Sequence, residues 1–135
     1  DFKNDLLVNL DIMRVTGINT LGTKYLLPPY EWYNDSIAVW THDLSLQLIN
    51  YTPGTLSAAD YTTPRDKNYR TSEVIYNSIV NYEASHPEGL NGFILLMHIG
   101  TDPARTDKFY DHLRQLIQYL KQRHYQFKSI PGLLK

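Results

Sequence analysis

Three short groups of residues in this sequence could do chemistry. They are Pro28-Pro29-Tyr30, the pair Asp60-Tyr61, and His98, which closes the apolar run Phe93-Ile94-Leu95-Leu96-Met97. A histidine can donate or accept a proton near neutral pH, and a carboxylate is the natural partner for its ring. Taken singly, each group also has a plain structural reading. A histidine at the end of an apolar run is commonly a hydrogen-bonded structural residue, and Pro-Pro-Tyr is a common turn. Other chemistries find no support in the residues. Gly17 and Gly22 have phosphate-loop spacing but lack the Lys-Ser or Lys-Thr that should follow. There is no serine nucleophile elbow and no cysteine, so thiolate metal sites and disulfides are excluded. His42, His86, His112 and His124 are scattered without metal-ligand spacing.

The elements that must position these groups follow from periodicity and punctuation. Leu6, Leu7, Leu10 and Met13 before Gly17 predict an amphipathic helix over about Asn4 to Thr16. Lys24 to Leu27 predicts a short strand stopped by Pro28 and Pro29. Asp35 or Ser36 can cap a helix with Ile37, Trp40 and Leu44 on one face, and Leu46 to Asn50 suits a second strand. Residues 51–67, rich in Pro, Gly, Ser and Thr, predict a long surface loop. A helix from Thr71 or Ser72 places Ile75, Ile79 and Tyr82 inward and ends before Pro87 and Gly89.

Phe93 to Met97, bounded by Gly92 and Gly100, predicts a strand buried on both faces. Thr106 can cap a last helix with a stripe of Phe109, Leu113, Leu116, Ile117 and Leu120, whose wet face is the charged stretch Arg114 to Arg123. Tyr125 to Ile130 predicts a final strand. Alternating helices and strands imply an α/β fold with mainly parallel strands, residues 1–135 forming a single domain. In such sheets ligands gather at the carboxyl ends of strands, where all three groups fall.

The order Leu27-Pro28-Pro29-Tyr30, then Asp60-Tyr61, then Ile94-Leu95-Leu96-Met97-His98 resembles the last three motifs of the polysaccharide deacetylases. These are the family 4 carbohydrate esterases, or nodulation-type deacetylase homology domain. The resemblance covers about Asn4 to Ile130, and Arg105 to Tyr110 resembles the helix start that follows the fifth motif in some members. Pro28, Pro29, Tyr30 and His98 match well, while Tyr61 stands where the family has Trp. The resemblance implies part of a distorted (β/α) barrel, truncated on its N-terminal side. It also implies metal-assisted hydrolysis of an acetyl group on a carbohydrate.

By that resemblance His98 is the acid that protonates the leaving group, Tyr30 offers its backbone N–H to the oxyanion, and Asp60 is the carboxylate partner of His98. Pro29, Trp32, Tyr61 and Leu96 line the acetyl and sugar pocket. A divalent metal, zinc or similar, is expected in the complete family domain. None is expected from this chain alone, because the two metal-binding motifs should precede Asn4. Leu27 stands where the family has Arg, which removes the usual charge partner of the catalytic base. This chain alone is therefore expected to be inactive, and the alternative is a non-catalytic carbohydrate-binding or degenerate relative. An extracytoplasmic or secreted bacterial setting is what the resemblance implies.

Bulk composition narrows the partners. With 42% hydrophobic residues in a 135-residue chain there is enough apolar content for a core, and a net charge of −1 with mixed signs offers no basic field for nucleic acid or anionic lipid. No apolar run approaches the ~20 residues of a membrane span. The 11 Tyr and 2 Trp suit sugar stacking, or simply amphipathic tyrosines at core edges. A partial barrel would expose sheet edges, so self-association through them is expected.

Overall fold

A computed structural model describes residues 1–134. They form a mixed α/β structure, mostly helical, with two short parallel strands. The chain divides into two compact units, Asp1–Asn50 and Tyr51–Lys135.

The N-terminal unit starts with α1, Phe2–Val15. Asp1 caps it by accepting from the Asn4 N–H at 3.0 Å, and Asp5 and Arg14 sit at the ends where the helix dipole favours their charges. Gly17 ends it at φ 90°, a left-handed position that glycine takes at low cost. The two strands are β1, Tyr25–Leu26, and β2, Gln47–Leu48, paired in the register Tyr25 to Gln47 and Leu26 to Leu48. Between them runs α2, Asp35–Asp43, the crossover that a parallel pair requires. Its cap is Asn34 rather than Asp35: the Asn34 side chain accepts from the Ile37 N–H at 2.9 Å, which places Asp35 in the first turn. Pro28, Thr41 and Leu46 are the buried residues of this unit.

The C-terminal unit is built on α3, Ser72–Ser85, and α4, Leu113–Gln122. Thr71 caps α3 through the Val74 N–H. Ile75 and Ile79 from α3 meet Leu116 and Leu120 from α4, with Leu90 and Phe109 completing the core. Tyr82 packs edge-on against Phe93, and the Tyr82 ring lies where a side chain at Gly54 would project. That position, at φ 123°, admits only glycine without displacement. Glu83 accepts from the Tyr119 hydroxyl at 2.8 Å and pairs with Arg123 at 3.1 Å, tying α3 to α4.

Four expectations fail here for local reasons. Phe93 to Met97 has no ladder partner among the described residues. Ile94 exchanges bonds with Thr52 and the Phe93 N–H closes a turn onto the Leu90 carbonyl, and the residues of the run are half-buried rather than buried on both faces. Tyr125 to Ile130 also lacks a ladder partner among the described residues, and it turns at Ile130 into a four-residue helix, α5, Ile130–Leu133, with Pro131 at its start. Thr106 caps no helix among the described residues. The Asp107 carbonyl is taken by the Arg105 Nε–H and the Ser72 hydroxyl, so the helical ladder cannot begin there, and a 3-10 turn at Phe109–His112 leads into α4 instead. The supposed surface loop 51–67 contains a 3-10 turn, Ser57–Tyr61, and buries Ser57, Asp60 and Thr62.

Candidate functional site

Asp60 and His98 meet in the C-terminal unit. Asp60 sits in the 3-10 turn Ser57–Tyr61 and is 1% exposed. One oxygen, Oδ2, accepts from the His98 backbone N–H at 2.7 Å, and the other, Oδ1, lies 2.6 Å from His98 Nδ1. Both oxygens therefore hold the same residue, one by its backbone and one by its ring. An ionised carboxylate can only accept, so the proton belongs on Nδ1 and Nε2 is the ring nitrogen left for a ligand. The His98 side chain is 33% exposed, enough for that edge to be reached. Tyr61 closes one side, its ring 5.2 Å from the imidazole and tilted 64° to it.

The turn that carries Asp60 is closed on itself and anchored from behind. The Thr62 hydroxyl and N–H both donate to the Ala59 carbonyl, at 2.7 and 3.2 Å. Leu56 donates its N–H to the Ser78 hydroxyl on α3. His98 follows from the extended run before it. Phe93, Leu95 and Met97 pack against the core, and alternation along extended backbone puts Ile94, Leu96 and His98 in the other register. Leu96 thus shares the register of His98, half-buried.

Behind the turn lies a polar cluster that sequence reasoning missed. Arg105 is fully buried and its guanidinium meets the carbonyls of Thr62, Arg70 and Asp107. Asp107 accepts from the Ser72 N–H and the Tyr69 hydroxyl. Burial pushes the Asp107 carboxyl up, but the Ser72 N–H, the Tyr69 hydroxyl and the Arg105 charge outweigh it and hold the group below the usual carboxylate range. The same hydrogen bond, with burial, raises the Tyr69 phenol. Nothing in the spacing of Arg105 and Asp107 marks them, because an Arg beside an Asp in a polar stretch usually means solvent.

Pro29, Tyr30 and Trp32 belong to the N-terminal unit. Tyr30 and Glu31 both adopt left-handed backbone, at φ 56° and 60°, which costs non-glycine residues energy. The turn is held by the Glu31 N–H to the Pro28 carbonyl and by Asn50, whose amide donates to the Glu31 carbonyl at 3.0 Å. Among the described residues the Tyr30 N–H has no acceptor. Tyr30, Trp32 and Tyr33 are displayed to solvent, at 85%, 81% and 53% exposure.

Among the described residues no three His, Asp or Glu side chains converge to hold an ion, so the residues here do not fit a resident metal by themselves. A cavity of about 850 Å³ lies elsewhere in the C-terminal unit, lined by apolar residues including Leu90, Phe93, Leu116, Leu120 and Phe127. Glu83, Arg123 and His124 also line it, and it does not include Asp60, Tyr61 or His98.

No helix among the described residues is long and apolar enough to cross a membrane. The fold and the pair define an α/β chain with a buried carboxylate clamping a partly exposed histidine. No protein-family model matches the chain, and no curated protein matches it closely enough to name a relative.

Proposed function

We propose that this chain is part of a carbohydrate deacetylase, a fragment of a distorted (β/α) barrel whose His98 acts as general acid on an acetylated sugar. The observation that carries the reading is the Asp60–His98 contact at 2.6 Å, which joins the two motifs whose order suggested the family. In this role Asp60 holds the imidazole orientation and stabilises its cation, while Nε2 donates a proton to the departing amine or alkoxide. The parallel β1–α2–β2 crossover is a unit that such barrels repeat. The family's metal would need ligands that the described residues do not supply.

The test is acetate release from a panel of N- and O-acetylated oligosaccharides by the longest natural form of the protein, loaded with zinc or another divalent ion. The reading expects release that falls by about 10²–10⁴ in His98→Gln. No release on any acetylated sugar ends it.

A second reading, a non-catalytic carbohydrate binder, is favoured by the displayed aromatics Tyr30, Trp32 and Tyr33 and by Leu27 in place of Arg. It expects retention on an acetylated polysaccharide without release of acetate, and retention reduced in Trp32→Ala.

A further inference from the structure

We infer that Arg105 is a positioning residue for the Asp60–His98 pair, holding the turn that carries Asp60 in register with the segment that follows His98. The side chain is 0% exposed, which for an arginine demands that its donors be met. They are met mostly by neutral oxygens. Nη1 donates to the Thr62 carbonyl at 2.8 Å, Nε to the Asp107 carbonyl at 3.0 Å, and Nη2 to the Arg70 carbonyl and the Ser72 hydroxyl, both at 3.1 Å. The Tyr69 ring stands 5.2 Å from the guanidinium carbon. The nearest carboxylate oxygen, Asp107 Oδ2, is 3.8 Å away, and that carboxylate is already bonded to Ser72 and Tyr69. A simple ion pair is therefore not what the fork is built for.

The three grips divide among three segments. Thr62 ends the closed turn Ala59–Thr62, with Asp60 and Tyr61 inside it. Arg70 and Ser72 flank the Thr71 cap at the start of α3, and Asp107 belongs to the chain that runs on from His98. One rigid planar fork thus ties the back of the Asp60 turn to the strand of chain bearing its partner. The two bonds from Asp60 to His98, at 2.6 and 2.7 Å, tolerate little slip, since a displacement of about 1 Å breaks them. Lysine, a point charge without the fork, cannot make all three grips at once.

The geometry stands without any assigned reaction, and only its catalytic value rests on the deacetylase reading. The experiment uses the chain as it exists and reads the His98 ring by ¹⁵N–¹H NMR, with denaturation measured in parallel. In the wild type the Nδ1–H proton should be visible and the ring should sit in one tautomer. Arg105→Lys is expected to lose the Nδ1–H signal and mix the tautomers while the α3 and α4 amides keep their dispersion. Asp60→Asn supplies the reference pattern for a broken pair. If Arg105→Lys loses stability but keeps the wild-type ring pattern, Arg105 is only structural and the inference is wrong. Should Arg105→Lys not fold, Arg105→Gln, too short to reach the Thr62 carbonyl, is scored by the same signal. A ring pattern that depends on Arg105 in a protein that releases no acetate would leave the positioning role standing and remove the deacetylase reading.

Discussion

The two units hold themselves together by different means. In the C-terminal unit Ile75, Ile79, Phe109, Leu116 and Leu120 are buried, and the tie between segments is a buried guanidinium. In the N-terminal unit α1 buries no residue at all: Leu7, Val8, Ile12 and Val15 are between 47% and 83% exposed. There α1 meets α2 through the Phe2 and Trp40 rings, 5.9 Å apart, and through an exposed ion pair between Lys3 and Asp43. Of the stripe Leu6, Leu7, Leu10 and Met13, three residues are half-buried and Leu7 is exposed, so an amphipathic stripe shows which face is apolar and leaves open how fully this chain covers it. Where the stripe is covered, polar groups can be buried and aimed, and that is where the Asp60–His98 pair is found.

The largest expected effect tests that contrast directly. Ile79→Ala should cost about 2–5 kcal/mol, the transfer of the lost groups plus the cavity they leave, because Ile79 is 0% exposed among α4 side chains. Ile12→Ala, at a position 60% exposed, should change stability by no more than about 0.5 kcal/mol, with the better helix propensity of alanine working in its favour. Urea denaturation of the two variants gives both numbers. Equal losses would show that α1 is packed as tightly as α3, and the contrast would collapse.

The same division explains what could be read from the sequence. The helices were legible where stripe and cap agreed: α3 begins after Thr71 as expected, and Ile75 and Ile79 point inward. The pairing of Asp60 with His98 was legible from motif order, although the two lie far apart in sequence. The strand predicted at Phe93–Met97 was not, because a ladder needs a second backbone, and apolar content does not show whether one is there. Arg105 was illegible for a related reason. Its acceptors are carbonyls from Thr62, Arg70 and Asp107, and a carbonyl leaves no mark on residue type. Asn34, the actual cap of α2, lies one residue before the position expected, a shift that cap geometry alone decides.

A smaller effect sharpens the contrast through pH. Asp107 has a folded-state pKa held below its ordinary value of about 3.9, so its ionised form favours folding. That contribution is fully present above the unfolded pKa and is lost as pH falls through the folded one. Asp107→Asn should therefore be less stable than wild type near neutral pH, with the gap closing on acidification below about pH 4. Thermal denaturation from pH 7 to pH 2 measures it. A gap of constant size across that range would mean that Asp107 matters by its hydrogen bonds to Ser72 and Tyr69 and not by its charge.

The smallest effect belongs to the exposed tie of the N-terminal unit. The Lys3 ammonium lies 2.6 Å from Asp43 Oδ2, and its hydrogen bond and charge hold the Asp43 carboxyl below the usual range. Both groups are solvated, so the Coulomb attraction is screened and is offset by the entropy of fixing two long side chains. Lys3→Ala should therefore leave the denaturation midpoint where it was, while an NMR titration shows the Asp43 carboxyl returning toward its ordinary value. About 1 M salt should move the wild-type titration in the same direction, since the screening length there is only about 3 Å. A clear loss of stability in Lys3→Ala would mean that this ion pair carries the contact between α1 and α2, and that the N-terminal unit depends on one surface interaction as the C-terminal unit depends on its core.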